Sequence, residues 1–138
     1  MVIAQLKESL MESIKIMIVE DEKDICELFS DYLEMKGCEK VWHVSTGKEA
    51  IEKIEQESPD IVFLDIQLAD NTNGIEVLRK AREISPDTKV IMMSAYKEEY
   101  GMQTHEMGAY GFLRKPFRAD DLSKLLDKIF KEREGESS

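Results

Sequence analysis

Four short apolar runs punctuate the chain, at residues 14–19, 61–64, 90–93 and 110–113, with polar-rich stretches between them long enough to hold helices. Three of the runs are nearly continuous rather than alternating, the pattern expected of strands in a parallel sheet covered by helices on both faces. A weaker run at 40–45 suits an edge strand. Between the runs, apolar residues recur at helical spacing. Leu122, Leu125, Leu126, Ile129 and Phe130 stack on one face at i, i+3, i+4 and i+7. Ile25, Leu28, Phe29 and Tyr32 repeat the pattern, and Gly37 supplies a left-handed stop. Thr46 and Glu49 match a capping box ahead of Ala50, Ile51 and Ile54. Ile75, Leu78 and Ala81 predict a third helix, limited by Pro86. A fourth, at 97–107, has a thin apolar face and carries Gly101, which costs about 1 kcal/mol relative to alanine.

Strands and helices in strict alternation predict right-handed crossovers and one five-stranded parallel sheet with helices on both sides. The spacing places a single α/β domain over residues 14–131, with an extension at 1–13 that Met11 could truncate as an alternative start, and a polar tail at 132–138. In such sheets ligands bind beyond the carboxyl ends of the strands. Those ends are therefore where chemistry is to be sought.

Composition narrows the classes. A 42% hydrophobic and 35% charged chain of 138 residues is expected to bury a core as one globular domain. No apolar run approaches the roughly 20 residues of a membrane span, and the N-terminus lacks the pattern of a signal peptide, so a cytoplasmic protein without membrane contact is expected. The net charge of −10, from 29 acidic and 19 basic residues, repels phosphate backbones and argues against a nucleic-acid partner. Cys26 and Cys38 form no ligand or redox spacing, and His43 and His105 are isolated, so packing or surface roles are expected for all four. Trp42 reads as a packing residue of the edge strand.

At the predicted strand ends stand Glu20 and Asp21 after the first, Asp65 after the third, Ser94 after the fourth, and Lys115-Pro116 after the fifth. Each acid alone reads equally well as a solvated loop residue. Together, three carboxylates on one rim repel one another unless a cation neutralises them. Oxygen ligands shared with water and phosphate favour a hard ion such as Mg²⁺. Phosphoryl transfer requires that charge on the equatorial oxygens be neutralised. A metal, the Lys115 ammonium and the Ser94 hydroxyl supply one partner for each oxygen.

The strings IMIVEDE at 16–22, VFLDI at 62–66, MSA at 93–95 and KPF at 115–117 resemble the response-regulator receiver family, over about residues 14–131. The resemblance implies a flavodoxin-like, doubly wound sheet of order 2-1-3-4-5 with five helices. It implies that Asp65 is the phosphoacceptor and that Glu20, Asp21, Asp65 and the backbone carbonyl of Gln67 hold Mg²⁺ or Mn²⁺. It also implies a cis Lys115-Pro116 bond and a switch pair of Ser94 and Phe112, although Phe112 reads equally as a fixed core aromatic. Gln67 and Tyr96 fall where family members tune the access of water to the acyl phosphate. The implied partners are a sensor histidine kinase or histidine phosphotransfer protein upstream and a protein downstream. The latter would dock on the face of the fourth helix, fifth strand and fifth helix.

One departure stands out. The loop after Asp65, Ile66 to Gly74, is a residue longer than in many receivers and lacks proline at 69, where Ala69 stands, so a more mobile loop is expected, with Gly74 serving the turn into the third helix. Two other function classes compete. A haloacid-dehalogenase-type phosphohydrolase also uses an Asp nucleophile, but it needs a second Asp two residues on, where Gln67 stands, and a nucleophile after the first strand. A third reading is a receiver taken from a larger kinase or regulator, with the Glu-rich C-terminal tail beginning a linker.

Overall fold

The computed structural model describes residues 11–137. Strands and helices alternate as β1 (Lys15–Val19), α1 (Lys23–Met35), β2 (Lys40–Val44), α2 (Gly47–Glu57), β3 (Ile61–Asp65), α3 (Gly74–Ile84), β4 (Lys89–Ser94), α4 (Lys97–Glu106), β5 (Gly111–Arg114) and α5 (Ala119–Ser137). A helical stretch at 11–13 leads into β1. The first ten residues, expected as an extension, lie outside the described residues.

All strand pairs are parallel, in the order β2-β1-β3-β4-β5. The near-continuous apolar runs have a direct cause, because each strand feeds two cores. Ile16 and Ile18 of β1 join Phe63, Ile91, Leu113 and residues of α1 and α5, notably Phe29, Leu33, Leu122 and Leu126. Met17 and Val19 point the other way, onto Val62, Leu64 and residues of α2 and α3, notably Ala50, Ile54, Leu78 and Ala81. Every residue of β3 is buried, whereas no residue of the edge strand β2 is. Trp42 packs at the margin of the second core with the Lys53 ammonium 5.3 Å from its ring centre.

The helix starts differ in a way that matters for the site. At α2, Thr46 Oγ1 accepts a bond from the Glu49 amide at 3.2 Å and donates to the Glu49 carboxylate at 2.9 Å. At α3, Asn73 Oδ1 accepts from the Ile75 amide at 2.8 Å. Neither α1, preceded by Glu22, nor α4, preceded by Tyr96, has a side-chain cap. Both of those helices open onto the same rim.

Two expectations change. α5 continues through 132–137, where a polar tail was expected. Two contacts tie that turn to the sheet: Tyr110 Oη donates to Glu132 at 2.6 Å, and the Arg133 guanidinium lies 3.2 Å from Asp60. The loop at 66–73 is also fastened rather than loose. Ala69 N donates to Ser45 O at 3.1 Å, Leu68 N to Thr72 O at 3.3 Å, and Asp70 Oδ1 accepts from the amides of Gly47 and Thr72, both at 3.2 Å. Asp70 thus places a carboxylate at the first turn of α2, where exposed amides favour it. Among the described residues, no helix is long and apolar enough to cross a membrane.

Candidate functional site

The sheet register levels the carboxyl ends of the central strands. Val19 pairs with Leu64, Asp65 with Met93, and Ser94 with Arg114. Glu20 follows β1 directly and remains in the ladder through its amide, which donates to Val44 O at 3.0 Å. Residues that end four different strands therefore face one open cavity of about 810 Å³. Its lining includes Asp21, Glu22, Asp65, Gln67, Tyr96 and Lys115.

Lys115 is the centre of the arrangement. Its ammonium lies 3.1 Å from Asp65 Oδ2, 3.2 Å from Glu20 Oε1 and 3.2 Å from Glu22 Oε1. The second oxygen of Asp65, Oδ1, accepts from the Gln67 amide at 3.3 Å. Glu20 Oε1 also accepts from the Glu22 amide at 3.1 Å. Glu20 Oε2 is 2.9 Å from the ammonium but receives no hydrogen bond of acceptable direction. A buried carboxylate oxygen without a donor is costly unless something positive occupies the remaining direction.

Burial pushes the Glu20 carboxyl up to about 7; the Lys115 hydrogen bond opposes that rise and the charge of Asp65 adds to it. Burial also works against the Lys115 charge, but its contacts with Glu20 and Asp65 outweigh this and hold its pKa above the ordinary value. One cation therefore balances several acids incompletely. Ligand oxygens of Glu20, Asp21 and Asp65 come within 4.8 Å of one another, so the three could hold a metal ion. Asp21 is exposed, Glu20 and Asp65 buried, and the donor-less Glu20 oxygen fits an ion bound at this cluster. An all-oxygen donor set open to water suits a hard divalent cation such as Mg²⁺.

The remaining sequence-predicted residues are placed as follows. Ser94 is buried, and its Oγ accepts from the Tyr96 amide at 3.0 Å. Tyr96, 55% exposed, stands at the cavity wall beside Gln67 and Tyr100. Phe112 does not line this cavity. It pairs with Met92 across β4 and β5, one step back on the face that Ser94 shares, and lines an adjoining space of about 210 Å³ with Gly101, Thr104 and His105. The Lys115-Pro116 peptide bond is cis. Of α4, only Thr104 is buried, consistent with its thin apolar face. Cys26 and Cys38 are free thiols raised in pKa by burial, so neither is an activated nucleophile. His43 meets Ser30 at 3.2 Å, and burial lowers its pKa.

One participant was not legible beforehand, and one that was singled out acts for another reason. Glu22 reaches Lys115 although it lies outside the acid pair; its one sequence signal was a poor capping residue at a helix start. The role of Gly74 is not turn conformation. A side chain there would meet Asp65 and Ile66 backbone atoms at 3.0 and 2.9 Å, and the Gly74 amide donates to Ile66 O at 2.6 Å.

A doubly wound parallel sheet with an acid cluster and a lysine at its carboxyl rim defines an α/β protein with a site for a cation beside an anionic group. The response regulator receiver domain family matches residues 16–127, and the chain belongs to that family. The chain is 30% identical over 118 residues to the chemotaxis protein CheY of Thermotoga maritima, covering 85% of this chain and 98% of that one. It is also 30% identical over 115 residues to sporulation initiation phosphotransferase F of Bacillus subtilis, covering 83% and 91%. A CheY-like receiver domain protein from Methanospirillum hungatei superposes with a TM-score of 0.79 at 32% identity, over 90% of this chain and 99% of that one. The protein is a receiver of two-component signalling, and receivers of this kind are phosphorylated by histidine kinases or phosphotransfer proteins.

Proposed function

We propose that Asp65 accepts a phosphoryl group from a phosphohistidine, and that the charge it gains resets a protein-docking face. The observation that carries this reading is the position of Asp65: buried at the end of β3, facing an open cavity, with the Lys115 ammonium 3.1 Å from Oδ2. In the transfer, an Asp65 oxygen attacks phosphorus, the bond from phosphorus to the donor imidazole nitrogen breaks, and that nitrogen recovers a proton from solvent. Lys115 neutralises one equatorial oxygen, and the Ser94 hydroxyl, once turned from the Tyr96 amide, donates to another.

Glu20, Asp21, Asp65 and the backbone carbonyl of Gln67 would hold Mg²⁺ or Mn²⁺. The ion, when bound, supplies positive charge to a transferring oxygen. Gln67 and Tyr96 flank the acceptor and set how easily water reaches the acyl phosphate. Engagement of Ser94 leaves room toward which Phe112 moves, and the α4, β5 and α5 face is the docking surface for a downstream protein. Weak burial of α4 supports this reading, since a face that switches must have two states within a few kcal/mol of each other. The product is a modified surface rather than a released compound.

A small phosphodonor with Mg²⁺ should add one acid-labile, hydroxylamine-sensitive phosphoryl group to the wild type and none to Asp65→Asn, read by intact mass. Persistence of the mass shift in that variant would move the acceptor elsewhere, with Ser94 and Asp21 the residues to examine.

A further inference from the structure

We infer that Glu22 is a positioning residue of this site: its carboxylate occupies Lys115 in the resting protein and competes for that ammonium with a phosphoryl group arriving on Asp65. The inference rests on the reading of Asp65 and Lys115 proposed above. Glu22 immediately precedes α1, where a short polar side chain would cap the helix, yet its side chain makes no cap. It extends instead across the cavity mouth to the Lys115 ammonium, 3.2 Å from Oε1.

An ammonium has three donors. Here they are directed at Glu20, Glu22 and Asp65, so none remains for a phosphoryl oxygen. A phosphoryl oxygen must compete for one of them. The Glu20 side chain is wholly buried, at 0% exposure, and would have to be left with an unpaired charge. Asp65 is itself the acceptor, so its contact passes to the phosphoryl group it then carries, which must share the ammonium with both glutamates. The Glu22 side chain is 60% exposed and returns to water at little cost. Once released, it remains a negative charge at the cavity mouth, close to an incoming group that is also anionic. Both effects act in one direction: Glu22 favours the unphosphorylated state over the phosphorylated one, and so keeps the aspartyl phosphate high in transfer potential.

The test is beryllofluoride affinity, measured by calorimetry at Mg²⁺ concentrations saturating for each variant. Glu22→Gln should bind the analogue about threefold to tenfold more tightly than wild type. Glu22→Asp keeps the charge but is one methylene shorter and loses the contact with Lys115; it should fall between the two. Asp24→Asn, which removes an acid from the exposed first turn of α1, should match wild type within about twofold, because the charge there is screened by solvent. Unchanged or weaker binding by Glu22→Gln, or equal tightening by Asp24→Asn, overturns the inference. Failure of wild type itself to bind the analogue overturns the reading of Asp65, and this inference with it.

Discussion

The Lys115 ammonium and Asp65 Oδ2 are held 3.1 Å apart by strands β5 and β3, which are not neighbours in the sheet; β4 lies between them. The lysine reaches across a strand to the carboxylate, and the same ammonium lies 2.9 Å from the buried Glu20. It is the structural counterion of the acid cluster, and in the proposed function it also meets a phosphoryl oxygen.

Removing that counterion should therefore destabilise the metal-free protein. Lys115→Ala leaves buried carboxylates without their cation, and a loss of about 2–4 kcal/mol is expected in chelator. Mg²⁺ should restore more stability to this variant than it adds to wild type, because the ion replaces the missing charge. Urea denaturation with and without Mg²⁺ measures both quantities; equal Mg²⁺ stabilisation of the two proteins would mean that Lys115 and the metal do not share the cluster.

Glu20 sets a pH dependence of unusual sign for a carboxylate. Its pKa rises from 4.5 to about 7 on folding, chiefly through burial, so the folded state holds the proton more tightly than the unfolded chain. Its contribution is fully present below pH 4.5 and is lost as pH rises through about 7. In chelator, Glu20→Gln should abolish this part of the slope and be about 2–3 kcal/mol more stable than wild type at pH 8. Mg²⁺ should flatten the wild-type profile by stabilising the ionised carboxylate. Parallel stability profiles of the two proteins in chelator from pH 5 to 8 would contradict the burial argument.

Gly74 is irreplaceable for a reason of distance. The atoms a side chain would strike, at 2.9 and 3.0 Å, are backbone of Ile66 and Asp65, which cannot rotate away as a flexible side chain does. Gly74→Ala should therefore cost about 2 kcal/mol or more and slow phosphorylation, since relief of the clash displaces Asp65, the proposed acceptor. Gly101→Ala is the control. The nearest atom there is Lys97 Cγ at 3.3 Å, the middle of a mobile chain, and added helix propensity should make the variant neutral or up to about 1 kcal/mol more stable. Equal urea midpoints for wild type and Gly74→Ala would refute the close approach.

The sequence by itself determined the layers, the strand positions and the candidate residues at the rim. Strands such as β3, Ile61–Asp65, must be apolar on both faces when helices cover both, so they appear as unbroken runs, and the acids and the lysine that close these runs mark the carboxyl edge. Only the tertiary structure decided which charge meets which. Glu22 is read locally as a helix-start residue, and its contact with Lys115, ninety-three positions away, exists because the residues that follow β1 and β5 open onto the same rim of the sheet. Asp70 is a loop acid in sequence and becomes bound to the first turn of α2 only when the β3–α3 loop lies against that helix. The turn at 132–137 is polar in composition and joins α5 because Tyr110 and Asp60 supply partners from the sheet. Burial leaves a periodic signature along the chain. Pairings between loops do not, because they depend on a few polar atoms whose separation is fixed by packing elsewhere in the fold.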